Sequence, residues 1–365
     1  MFVYIIFFIV IALLGIQYEF APFDRGYPLW VLTALLVLLA GFRDISVSRD
    51  YTSYQYIFNS VSYLKATTYY GNSLAFLLAF EPGFLLIITF FKSLFPVNYG
   101  FAIMLFYALA SIPLKTITIR KLSINPYLSL LFFYSYFFLI QEMTQIRIGL
   151  ASGIVLISLT GLLEGKKFFF ISMVLLATCF HYSSIFYLAI LFFNNERFYK
   201  PLYTGVILLS VVLGVIKLPV LSVLGNVDLS DVSTKLNNYA EMSQYGLVKI
   251  NVFNSLNLLN IACCLYLIFA VSNKGIREDR YLRIFLKCNI LSIFLLSVLS
   301  GAPSIALRFS QLFGIVYLFL FVYLSRYLPF RKWNVFVVTI IAGIFFYVTL
   351  FYGDLLQPYK IITIR

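Results

Sequence analysis

Apolar runs of helical length recur along almost the whole chain, separated by short polar links, and that alternation leaves few folds open. The runs fall at 2–16, 29–42, 83–95, 98–114, 127–140, 148–163, 168–180, 183–193, 203–216, 252–272, 284–300, 311–325 and 333–350. They are continuous rather than ten-residue stretches of alternating polarity, which argues against an outer-membrane β-barrel. Hydrophobic residues make up 62% of the 365 and charged residues 11%, too little polar surface to coat a soluble domain. The pattern predicts an all-α fold, a polytopic membrane helix bundle forming a single transmembrane domain over 1–365. About eleven to thirteen transmembrane or re-entrant helices are expected, because several runs fall short of the roughly 20 residues of a perpendicular crossing.

The first run has no basic residues before it and no small-residue cleavage site after it, so it reads as a retained helix rather than a signal peptide. Cys179, Cys263, Cys264 and Cys288 lie in or beside apolar runs without metal-ligand spacing, and read as small core residues.

The net charge of +13 has a membrane explanation, not a nucleic-acid one. Five short links carry Lys115, Arg120, Lys121; Lys166, Lys167; Arg197, Lys200; Lys274, Arg277, Arg280, Arg283; and Arg326, Arg331, Lys332, fourteen cations in all. The intervening segments from Ile140 onward hold six: Arg147, Lys235, Lys249, Arg308, Lys360 and Arg365. By the positive-inside rule the first set faces the cytoplasm, leaving Arg147, His181, the 218–250 loop, Arg308 and the C-terminal tail outside. The 43–80 loop joins them if 83–95 or 98–114 is re-entrant, which Lys92 favours. Both long loops are rich in Tyr, Asn and Ser, side chains that suit sugars and are expected to bind substrate, although Tyr also belongs at any membrane interface.

An ionised group at bilayer depth costs about 2.5–3.5 kcal/mol, so the charges outside the basic links need a reason. Gly41-Phe42-Arg43-Asp44 with Asp50, Tyr54 and Phe58 follows the second run; the simplest role for Arg43 and Asp44 is to anchor a helix end. Glu81-Pro82-Gly83-Phe84 opens a run, where a carboxylate serves as a cap, a sugar ligand or a base. Gln141 to Arg147 links two apolar runs, and a local Glu142–Arg147 ion pair would account for both charges. Phe180-His181-Tyr182-Ser183 holds the chain's one histidine at a junction of two short runs. An imidazole there can accept a proton near neutral pH. Arg308, with Gln311 on the same helical face, follows Gly301 and Pro303. Two guanidinium groups, Arg147 and Arg308, match the oxygens of a phosphate.

In order, these motifs resemble the EpsG-like branch of the Wzy-type bacterial polysaccharide polymerases. That family carries Gly-x-Arg, Gly-x-Asp with Tyr and Phe beyond it, Glu-x-Gly-Phe, a mid-chain Arg, Phe-His-x-Ser and a late Arg. The counterparts are Gly41 and Arg43; Asp50, Tyr54 and Phe58; Glu81, Gly83 and Phe84; Arg147; Phe180, His181 and Ser183; and Arg308. The resemblance covers about residues 38–315, with one departure, Ser48-Arg49 standing where the family has Gly before Asp50. It implies a GT-C-like fold in the bacterial inner (cytoplasmic) membrane and the joining of oligosaccharide repeat units carried on undecaprenyl diphosphate. It implies no cofactor. The expected partners are those lipid-linked oligosaccharides, the bilayer and a chain-length regulator, with no nucleic acid. Mapped onto this chain, His181, Glu81 and Asp50 are the catalytic candidates. Arg147, Arg308 and Arg43 would bind diphosphate, and Glu142, Tyr54 and Gln311 would contact substrate. A polysaccharide ligase, another lipid-linked sugar transferase or an oligosaccharide flippase would draw on similar residues.

Overall fold

The computed structural model describes residues 1–23, 26–61, 80–193, 197–216, 250–353 and 355–362. Of the two long loops, 62–79 and 218–249 lie outside the described residues. The helices run in the order α1 (Phe2–Phe20), α2 (Tyr27–Gly41), α3 (Arg49–Ser60), α4 (Pro82–Leu94), α5 (Tyr99–Leu122) and α6 (Pro126–Phe132). They continue with α7 (Ile146–Leu163), α8 (Lys167–Thr178), α9 (Lys200–Ile216), α10 (Ser255–Ala270), α11 (Arg280–Val298), α12 (Pro303–Gly314), α13 (Tyr317–Tyr327) and α14 (Asn334–Tyr347). Five segments are long and apolar enough to cross a membrane: α1, α5, α7, α11 and 331–352. Taking α12 with α13 as one span gives a sixth, and six more apolar helices have 10–17 residues. The protein is therefore an all-helical, multi-pass bundle.

Local chemistry sets the boundaries. A proline occupies the first turn of α2, α4, α6 and α12, where its missing N–H costs nothing. Asn125, Asn254 and Asp279 cap α6, α10 and α11 by accepting the N–H of Leu128, Asn257 and Leu282 at 3.2, 2.9 and 2.9 Å. After α6 the chain widens into a π-helix, Phe133–Glu142, before turning into α7. The described residues divide into two compact units: Met1–Leu188 with Phe321–Arg365, and Ala189–Leu320.

The first unit has two chemically distinct ends. At one, Glu164 pairs with Lys121 and, at 2.8 Å, with Lys166. Asn125 Nδ2 donates to Gly15 O and Glu19 Oε2 nearby, and the Phe20 ring meets Trp333. At the other end the C-terminal tail lies antiparallel to 42–48. Asp44 N donates to Lys360 O, Gln357 N to Val47 O and Ile362 N to Phe42 O, each at 2.9 Å. The segment that begins the 43–80 loop therefore shares a side with the tail.

That loop is not wholly irregular. Its first part is α3, whose Tyr51, Tyr54 and Phe58 are buried on one face. Phe84, at the start of α4, packs on Tyr54 and Phe58, and Lys92, near its end, donates to the carbonyls of Asn59 and Val61. Both ends of α4 are thus tied to α3. The hydroxyl of Tyr99 then returns to Asn59, and α5 alone carries the chain to the basic end. Positions along α5 give a depth scale at about 1.5 Å per residue.

One expectation fails on that scale. Lys115, read as a cation of a basic link, lies inside α5, about 9 Å short of Lys121, and is completely buried. Its counter-charge is Glu142. The local Glu142–Arg147 pair accordingly gives way to two separate pairs.

In the second unit, α10, α11 and α12 share a polar seam. Asn260 and Asn289 exchange amide hydrogen bonds at 3.3 and 2.7 Å, and Asn289 Nδ2 also reaches Cys264 Sγ. Ser292 Oγ donates to Ser310 O at 2.8 Å. Cys263, Cys264 and Cys288 are buried and pack as small core groups.

Candidate functional site

Glu81 is the centre of the first unit's polar cluster. It precedes α4, and the close approach of that helix to the end of α8 brings it there. Gly83 N donates to Cys179 O at 2.8 Å. A Cβ on Gly83 would lie 2.8 Å from that oxygen and 3.0 Å from the Phe180 ring, so the contact requires glycine. The Glu-Pro-Gly-Phe and Phe-His motifs are thus two halves of one junction, further tied by a Tyr182 hydroxyl donating to Phe80 O at 3.1 Å.

Across this junction Glu81 has two cationic or potentially cationic neighbours. Arg147 Nη1 donates to Oε2 at 2.6 Å, and His181 Nδ1 lies 3.4 Å from Oε1. The guanidinium stands over the Phe84 ring at 5.0 Å and the Tyr54 ring at 6.0 Å, a desolvated face that strengthens both contacts. Burial alone would raise the Glu81 carboxyl, but the His181 imidazole and the Arg147 charge outweigh it and bring it down to about 2. Asp50, half-buried one turn before Tyr54, moves the other way: burial raises it and the Arg147 charge only partly offsets this.

The structure therefore brings together Asp50, Tyr54, Glu81, Arg147 and His181, from four separate motifs. Arg43 is buried close by; its guanidinium is held by Ala40 O and Met104 Sδ and lies in the field of Tyr51, Glu142, Tyr4 and Tyr54. Glu142 is a near neighbour of the cluster but is committed elsewhere, with Ser111 Oγ donating to its Oε1 at 2.8 Å and Lys115 pairing with the same oxygen. Arg308 and the buried Gln311 lie on α12 of the second unit.

Two side chains escaped the sequence reading. Tyr107 of α5 packs under Phe84, ring to ring at 6.4 Å, and its buried hydroxyl has no hydrogen-bond partner among the described residues. Nothing distinguishes it in sequence from the chain's 27 other tyrosines. Lys115 did carry a signal: a serine four residues earlier on the same helical face, inside an otherwise apolar stretch. Among the described residues no group of three or more His, Cys, Asp or Glu is arranged to hold a metal ion.

The cluster can stabilise an anion through Arg147 and take up a proton through His181 or Asp50. A model of the EpsG family matches residues 26–361, a span that contains every residue of the cluster. No curated protein and no solved structure matches the chain.

Proposed function

The chain belongs to the EpsG family, and from that premise we propose that it is a glycosyltransferase joining undecaprenyl-diphosphate-linked oligosaccharide repeat units into polysaccharide. The observation that carries this reading is the convergence of Arg147 and His181 on Glu81, at the end of the first unit away from its basic residues. With Lys121, Lys166 and Lys332 toward the cytoplasm, that cluster opens on the outer face of the bacterial cytoplasmic membrane.

The chemistry divides among the residues as follows. The growing chain is attached through its anomeric carbon to a lipid diphosphate. A hydroxyl of a fresh lipid-linked unit attacks that carbon, the new C–O bond forms, and the old C–O bond breaks with its electron pair leaving on the diphosphate. Arg147 stabilises the charge that builds there; Arg308, on α12 of the second unit, is a further candidate for the same role. One preorganised donor of this kind is worth about 2.7–4 kcal/mol.

The attacking hydroxyl must also lose a proton. Glu81 is a poor base, since a carboxyl held at about 2 has little affinity for protons at neutral pH. Its position suits a different task, orienting the His181 ring through Nδ1 while neutralising Arg147 between turnovers. His181 is then the general base, with Asp50 the rival because its carboxyl is raised. Tyr54, Phe84 and Tyr107 are the buried aromatic backing against which the Arg147 guanidinium is held.

The test is the purified protein given a lipid-linked repeat unit, with products resolved by size. The wild type should give a ladder of chain lengths. His181→Ala and Arg308→Ala should insert normally and leave single units. Long polymer from both variants would remove these residues from the mechanism.

A further inference from the structure

Lys115 lies outside the cluster, yet it contacts both ends of the chain segment that presents Arg147. Its ammonium reaches four oxygens: Gln141 Oε1 at 3.3 Å and Glu142 Oε1 before the turn, Gly149 O at 2.9 Å after it, and Ser111 Oγ at 3.2 Å on its own helix. Ser152 Oγ closes the same loop, lying 2.7 Å from Gln141 Oε1 and 2.9 Å from Gly149 O with its one proton to donate between them. The turn inside this loop is itself bonded, Gln145 N to Ile140 O at 2.9 Å and Met143 N to Phe138 O at 3.0 Å. Gly149 lets the first turn of α7 close on it, for a Cβ there would sit 3.2 Å from Gln141 O.

This arrangement exceeds what charge neutralisation needs. A buried pair could satisfy itself with two side chains; here one three-donor ammonium also binds a backbone carbonyl and an amide, on opposite sides of Arg147. The wide π-helical turn that delivers the segment has the register irregularity often found beside functional sites.

We propose that the Lys115–Glu142 pair is a positioning device: it clamps residues 141–149 so that the Arg147 guanidinium is delivered to Glu81 and the departing diphosphate. Lys115 and Glu142 are positioning residues and touch no substrate. The inference rests on the proposed polymerase reading for the diphosphate and for its activity measurement; the placing of Arg147 against Glu81 stands apart from it.

The experiment uses the full-length protein in detergent. Lys115→Met with Glu142→Gln removes both charges together, so neither is left uncompensated, and the fold should persist with unchanged elution and thermal stability. Two readouts separate positioning from simple support. The first is the modification rate of Arg147 by phenylglyoxal, followed by peptide mass spectrometry; it should rise several-fold as the guanidinium leaves Glu81. The second is the kinetics of polymer formation: kcat should fall on the order of ten- to a hundredfold, as for a catalytic group misplaced by about 1 Å, with KM nearly unchanged.

A double variant that folds, labels and polymerises like the wild type would overturn the proposal. If the double variant does not fold, Ser152→Ala decides. It removes one strut of the same clamp from a helix interior, where alanine is well tolerated, and must raise Arg147 labelling; wild-type labelling would overturn the clamp. If the wild type makes no polymer, the polymerase reading falls, while the labelling comparison still decides the role of Lys115.

Discussion

Two carboxylate–cation pairs stand side by side in the first unit, and they behave as opposites. Lys115 and Glu142 are 0% and 2% exposed, and the ammonium is filled by protein oxygens. Arg147 and Glu81 are 25% and 8% exposed, with a third titratable partner in His181 and an aromatic floor. On the depth scale of α5, Lys115 lies about 12 Å beyond Tyr107, which marks the level of Phe84 and Arg147. The same chemistry is sealed at one depth and open at the other. A sealed pair can only hold structure in place, whereas an open one can exchange its partner for substrate.

The sharpest way to break this contrast is to remove one charge from each pair. Lys115→Met alone, or Glu142→Gln alone, strips a buried group of its counterpart and should destabilise the protein by about 3–5 kcal/mol. Loss of monodisperse protein in detergent would register it; a well-folded single variant would mean that the sealed pair is not sealed. Arg147→Ala should do the reverse, leaving the elution profile intact while slowing polymer formation by about 10²–10³-fold. An Arg147 variant that unfolds would make the open pair structural after all.

Smaller effects refine the picture. Gly83→Ala forces a Cβ against Cys179 O and should cost about 1–3 kcal/mol, together with part of the activity, since α4 must retreat from His181; unchanged melting and turnover would show that the junction tolerates a wider gap. Least of all, Glu164→Gln at the exposed basic end should leave the melting temperature where it was, because surface pairs of this kind contribute little. Lowering pH sharpens the comparison further. The folded-state carboxyl of Glu81 is depressed, so its contribution holds above the ordinary carboxylate range and is lost only as the pH falls toward 2. An acid-side fall in rate well above that pH would therefore belong to a group other than Glu81.

Much of this was legible in the sequence. Helix-length apolar runs marked most of the helices, closely at 333–350 against 331–352 and about two turns short at 98–114 against Tyr99–Leu122; five or six of them are long enough to cross a membrane. The charges that interrupt them pointed to Asp50, Glu81, Arg147 and His181, because a charge in such surroundings needs a partner. The partners themselves could not be read. Glu142 and Arg147, five residues apart, suggest a local pair; only the turn between the π-helix and α7 sends one toward α5 and the other toward α4. Lys115, close to Arg120 and Lys121, reads as one more cation of a basic link, and Ser111 one turn before it is only a weak signal to the contrary. Helix α3 was missed because Tyr51, Tyr54 and Phe58 are buried among polar neighbours, diluting the apolar signal.

The antiparallel pairing of 42–48 with the tail has a consequence for biogenesis. Its two segments are more than three hundred residues apart in sequence, so the edge beside Arg43 leaves the ribosome long before the segment that pairs with it. The bonds that close this end of the first unit can therefore form only after its helices, α14 included, have been made.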